Sequence, residues 1–335
     1  MLLSGLTIGL LVVLLFSVIF DYINGFHDTA NAIATSVSTH ALRPEYAILM
    51  SAVANFVGAL SGTAVAATIG QGIVTNPEGP AGQVVIAAAL VGAIFWNLIT
   101  WRLGIPSSSS HALIGGLIGA TIIAVGTGGL LVDGIVGKVL VPLISSPFLG
   151  FLLAFGLMVL LLNIFRRANP ATINERFRRL QVLSAGYMAF SHGSNDAQKT
   201  MGVMTVALVT AGILPSFSVP LWIILLAASA ISLGTAAGGW RIISTMGQRV
   251  VKLDPIHGFA AETTAATIIF GASHFGMPVS TTHVMSSSIM GVGSSIRFSA
   301  VRWGVAGNIV IAWILTIPAS ALMAAGAWLV LRNLI

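Results

Sequence analysis

The sequence predicts an all-α polytopic membrane protein built from inverted-topology repeats, with broken helices or re-entrant hairpins at its centre. Three observations predict this: a composition suited to lipid, about ten apolar stretches of crossing length, and two pairs of polar motifs recurring in one order in both halves. Of 335 residues, 56% are hydrophobic and 7% charged, where a soluble domain carries about 25% charged residues. So few charges cannot cover a water-facing surface, and lipid is the expected solvent. Thirty-seven glycines suit helices that pack closely in a bilayer. A net charge of +6 reads here as basic loops on one membrane face, so no nucleic-acid partner is expected. The absence of Cys excludes disulfides and thiolate metal sites. The apolar run 2–20 lacks a basic leader and is read as part of the first crossing.

Ten crossings can be drawn. They are 10–40 (interrupted around 24–28), 46–69, 83–101, 107–125 and 139–165, then 180–209, 217–234, 259–274, 279–293 and 305–331. The fourth and ninth are polar at their starts and read equally as re-entrant hairpins. The organisation expected is a first repeat over 1–138, a connecting span and basic loop over 139–181, a second repeat over 182–302 and a last span over 303–335. With both termini outside, Arg43, Arg102, Arg166, Arg167, Arg176, Arg178, Arg179, Arg241, Arg249, Lys252, Arg297 and Arg302 share the inner side, twelve of the 15 basic residues. The positive-inside rule favours that orientation, in the plasma membrane. Lys138 and Arg332 fall outside and Lys199 within a span.

Two motifs recur. Gly25–Asn31 parallels Gly193–Lys199 at an offset of 168, and Gly104–His111 parallels Gly276–His283 at 172. An odd number of crossings separates the copies, so they are inverted. That arrangement is typical of secondary transporters with a site between the repeats. Asp28 and Asp196 are the sharpest pointers, since a carboxylate within a span costs at least about 2.5 kcal/mol. Each follows Gly and Asn, so each is expected at a helix break, near the start of the second half-helix. With Asn24, Asn195 and Asn31 their oxygens suit a hard cation, and Na⁺ is assigned to Asp28 and Asp196. A helix N-cap is the plainer role for either Asp alone; the matched pair weighs against it.

Pro106 and Pro278 suit a first helical turn. The hydroxyls of Ser107, Ser108, Ser109, Ser110, Ser280, Thr281 and Thr282 then lie beside free N–H groups at two helix N-termini, which suits a tetrahedral oxyanion held from both sides. Gln198 and Thr200 join this anion-binding set. Asp21, Lys199 and Glu262 are candidate gating or pathway residues. Lys199 is expected to pair with Asp196, and His111 and His283 to donate to backbone. No nucleophile elbow or His-Glu-x-x-His zinc motif occurs, so no enzyme and no organic cofactor are expected.

At these residues the sequence resembles the inorganic phosphate transporter (PiT) family. Asn24–Ala32 matches its signature, Ser191–Lys199 is a close second copy, and the two Gly-x-Pro-hydroxyl-His stretches are similar to its other paired element. The resemblance runs from about Phe20 to Arg302. It implies phosphate import by symport with Na⁺, with H⁺ or as a metal–phosphate complex. It also implies that Asp28 and Asp196 are essential and that Glu262 is a pathway acid. Asn55 stands where animal members carry a further Glu. The function expected is therefore inorganic phosphate import by cation symport, with Na⁺ first and H⁺ second. Another oxyanion such as sulfate is the rival substrate, and monomer or homodimer is left open.

Overall fold

The computed structural model describes residues 7–75 and 78–334; residues 2–6 of the apolar 2–20 run lie outside the described residues. The chain is helical throughout, with no β-strand among the described residues beyond one isolated bridge between Val74 and Leu130. The first half runs α1 (Ile8–Ser38), α2 (Pro44–Ala59), α3 (Ala64–Gln71), α4 (Pro80–Leu103), α5 (Ser109–Val125), and then α6 (Val132–Ile135), which passes through a π-helical turn into α7 (Val141–Ile164). The second half runs α8 (Pro170–Thr210), α9 (Leu221–Ala237), α10 (Trp240–Ser244), α11 (Pro255–His274), α12 (Thr281–Ile296) and α13 (Trp303–Leu331).

By length and apolarity, α1, α4, the α6–α7 unit and α13 can each cross a bilayer. So can the bent pair α2–α3 (72°) and the pair formed by α9 with Arg241–Arg249 (65°). The helix α5 is apolar but only 17 residues long, and α8 carries polar residues that face protein. In α8, every residue from 191 to 200 is buried. The α5 and α12 helices do not start at a surface: Ser110 Oγ donates to Val279 O (3.3 Å), so their N-termini meet inside the molecule. The hairpin alternative therefore replaces the fourth and ninth crossings. Both hairpin tips turn on a glycine in left-handed conformation before a proline, Gly104 (φ 67°) and Gly276 (φ 66°).

The expected breaks at Asp28 and Asp196 are absent. Both α1 and α8 are continuous, and the breaks fall instead between α2 and α3 and at Gly238–Gly239. The motif glycines serve close approach. A Cβ on Gly25 would lie 2.2 Å from Ile231 O, and one on Gly234 2.0 Å from Tyr22 O. In the other half a Cβ on Gly193 would lie 2.1 Å from Asn55 O, and one on Gly58 2.0 Å from Phe190 O. These are the same contacts made twice: α1 lies against α9 as α8 lies against α2. The last long helices are exchanged between halves, with α7 on α11 and α12, and α13 on α4 and α5. Each carries an internal proline, Pro147 or Pro318.

Candidate functional site

The site forms where α1 and α8 cross. Asp21, about midway along α1, accepts from Thr200 late in α8 (2.6 Å), while Thr39 at the end of α1 donates to Gln181 early in α8 (2.7 Å). The two helices therefore run antiparallel, and their motifs meet at the middle. Along α1 a buried polar row, Ser17, Asp21, Asn24, Asp28, Asn31 and Thr35, recurs at alternating steps of four and three. That spacing keeps the row on one helix face.

Asp28 and Asp196, 168 residues apart, come together with His192, their ligating atoms all within 4.8 Å of one another. Asp28 Oδ1 lies 2.6 Å from His27 Nδ1. Asp196 Oδ1 accepts from Lys199 Nζ at 2.6 Å, and Asp196 Oδ2 is 3.5 Å from His192 Nε2. Asn24 Oδ1, Asn195 Oδ1 and Asp21 Oδ2 are buried oxygens without a partner. Such atoms call for an ion or a water, because an unmet buried polar group costs about 1–3 kcal/mol. The donor set, carboxylate and amide oxygens, suits a hard cation such as Na⁺.

The hydroxyl clusters sit directly beside this. Ser108 and Ser280 cap their helices, each Oγ accepting the third N–H onward, from His111 and His283, at 3.2 Å. Ser107 donates to Thr100 (2.8 Å), and Ser110 accepts from Lys199. Thr281 and Thr282 accept from Asn31 Nδ2 at 3.2 and 2.9 Å. Asn31 and Lys199 are equivalent positions, and each reaches a hydroxyl of the opposite half. Ser109 Oγ is buried and unpartnered. Two helix N-termini thus meet among buried residues, where their N–H dipoles favour an anion.

Gln198 stands apart, with its Oε1 accepting from Val65 N (2.8 Å) at the start of α3. Thr200 is engaged with Asp21. Glu262 accepts from Thr35 (2.5 Å), Ser184 (2.5 Å) and Gln181 (3.0 Å), tying α11 to α1 and α8. His111 and His283 depart from expectation: the rings lie 4.7 Å apart and His283 stacks on Trp313 at 4.0 Å. Both His283 nitrogens and His111 Nδ1 lack partners. Sequence reasoning missed His192, His27, Gln181 and Ser184. His192 occupies the place of Asn24 in the second copy, so the repeat alone could have found it.

The chain matches the Phosphate transporter family over residues 24–174 and again over 163–324, one match to each half. A Bacillus subtilis (strain 168) protein described as "Probable low-affinity inorganic phosphate transporter" is 51% identical over 93% of this chain and 94% of its own length. One with the same description from Rhizobium meliloti (strain 1021) is 49% identical over 96% and 95%. A solved structure described as "The sodium-dependent phosphate transporter" superposes with a TM-score of 0.91 at 27% identity, covering 98% of this chain and 100% of that one. Two matched halves, each carrying one copy of both motifs, together with near-full-length relatives at about half identity, place this chain in the Phosphate transporter family.

Proposed function

We propose that this multi-pass membrane protein imports inorganic phosphate by cation symport, with Na⁺ as the coupling ion, and that it is a carrier and not an enzyme. One observation carries the reading: Asp28 and Asp196 meet at the crossing of α1 and α8, next to two converging helix N-termini. With Asp21 the centre holds three buried carboxylates and one ammonium, Lys199. Adding a phosphate anion to so negative and dry a place requires cations to enter with it. Binding the two together is what couples them. The match to a structure described as sodium-dependent supports Na⁺. The inner side is assigned to the basic loops, so both termini are outside in the plasma membrane.

The anion is assigned to Ser107–Ser110 and Ser280–Thr282, with Gln198 and Thr200 as outlying members. The cation is assigned to Asp28, Asp196, Asn24, Asn195 and Asn31. Of the hydroxyls, Ser109 is the free one and makes the direct contact, while Ser108 and Ser280 hold the helix starts in place. Uptake of labelled phosphate into proteoliposomes under imposed Na⁺ or H⁺ gradients tests this. Accumulation driven by Na⁺ and unaffected by equal sulfate is expected. Accumulation driven only by H⁺ would move the coupling role to His27 and His192, and sulfate displacing phosphate would change the substrate.

A further inference from the structure

The two halves repeat each other in order and in contacts, but the residues at their two helix breaks differ in kind. On α8 and α11, Ser194, Phe270 and Ser273 line a cleft of about 100 Å³ with Ser61, Gly62, Ala64, Gln198 and His274. The cleft sits where α2 breaks into α3 and where the α11–α12 hairpin turns. Its polar groups continue inward: Ser61 donates to Ser194 (2.8 Å), and Ser273 accepts from Asn195 (2.8 Å), the neighbour of Asp196.

The offsets of 168 and 172 carry Ser194 to Phe26 and Ser273 to Trp101. There, at the α9 break and the tip of the α4–α5 hairpin, the space is filled. Phe26 meets Trp101 edge-on at 5.3 Å, and Tyr22 meets Phe26 at 5.8 Å. The Arg241 guanidinium lies 5.4 Å over the Trp101 ring and donates to Arg102 O at 2.7 Å. One break is therefore an open cleft with serine hydroxyls beside Phe270, and its equivalent is a closed edge-on aromatic cluster held by an arginine. Behind the stack, His27 bonds Thr100 (3.1 Å), as Asn195 bonds Ser273 behind the cleft.

We propose that these are the two mouths of the transport path. The Ser61–Ser194–Ser273 cleft is the outer entrance, and Phe26, Trp101 and Arg241 form the closed inner exit. This rests on the carrier reading above. The exit opens when α10 and the α4–α5 tip separate, drawing Arg241 off Trp101 and Trp101 off Phe26. Arg241 then stands at the rim, where its charge meets a leaving phosphate. The entrance needs no such stack, because serine hydroxyls can stay wet.

The chain has no native Cys, so one introduced residue reports alone. Ala30, the equivalent of Gln198, is fully buried on α1 one turn beyond Phe26. In open membranes, Ala30→Cys is expected to react slowly with an impermeant reagent supplied at the inner face. Adding Phe26→Ser and Trp101→Ser, which copies the outer mouth, removes an aromatic pair and a cation–π contact, and labelling is expected to quicken about tenfold. Trp101→Phe keeps a ring in place and should keep labelling slow. Saturable phosphate binding from the outer face should survive in every variant, which establishes that the chain is folded. Equal labelling with and without the stack in folded protein overturns the proposal, as does acceleration from the outer face instead. Failure of the native chain to move phosphate would instead count against the carrier reading, since labelling does not depend on turnover.

Discussion

Among single residues, hydroxyls and carboxylates that look alike in sequence do different work in the fold. Ser108 spends its Oγ on a helix cap, whereas Ser109 Oγ is buried and free. Ser109→Ala is therefore expected to weaken phosphate binding about tenfold or more, the loss of one hydrogen bond to a charged group. Ser108→Ala should chiefly lower thermal stability, by about 1 kcal/mol. Equilibrium binding and melting curves on the same preparations separate the two. Asp28→Asn and Asp196→Asn keep shape and one oxygen but remove the charge that admits the cation. Each should abolish gradient-driven uptake while the melting temperature stays near normal. Normal cation-dependent uptake in both variants would return these carboxylates to a purely structural role. The carboxylates were legible because a charge within an apolar stretch stands out. His192 and His27 were not, because a histidine beside a motif reads as a neighbour until folding brings it within reach of an Asp.

At the scale of the element, glycine was the residue most open to misreading. Gly25 beside Asn24 and Gly193 two residues before Asn195 suggest a broken helix, yet both lie in continuous helices and admit another backbone. Composition cannot separate these uses, since unwinding and close approach both require the absence of Cβ. What decides is the facing helix, which the local sequence does not contain. Gly25→Ala would put a methyl 2.2 Å from Ile231 O and must push α9 away. It should destabilise the protein by about 1–3 kcal/mol, the usual result of overpacking. Gly156→Ala in α7 meets nothing within 4 Å and should be neutral or stabilising by about 0.5–1 kcal/mol. Thermal unfolding of the two variants in one detergent checks the contrast. A Gly25→Ala protein as stable as the native chain would mean that α1 and α9 are not in this contact. The hairpin tips were legible in part: Gly marks the turn and Ser108 and Ser280 the caps, but Pro106 and Pro278 lie two residues before those caps, outside α5 and α12, and not in the first helical turn expected of them.

At the scale of the whole molecule, the repeat was visible in sequence because four motif copies stand in one order. The exchange of α7 and α13 between halves was not, since both are apolar helices with one internal proline and no polar mark of their partner. Orientation follows from the basic loops. A single Cys at Glu78, exposed between α3 and α4, should react from outside intact cells, and one at Asn174 in α8 should not. The reverse pattern would invert the assignment of the two mouths. A cation and a phosphate that share one buried site must cross together. Simultaneous uptake of radiolabelled sodium and radiolabelled phosphate into proteoliposomes of the purified protein addresses this most directly. Each flux is expected to require the other ion, at a ratio fixed across concentrations. Phosphate entering at full rate without sodium, or sodium entering without phosphate, would contradict it.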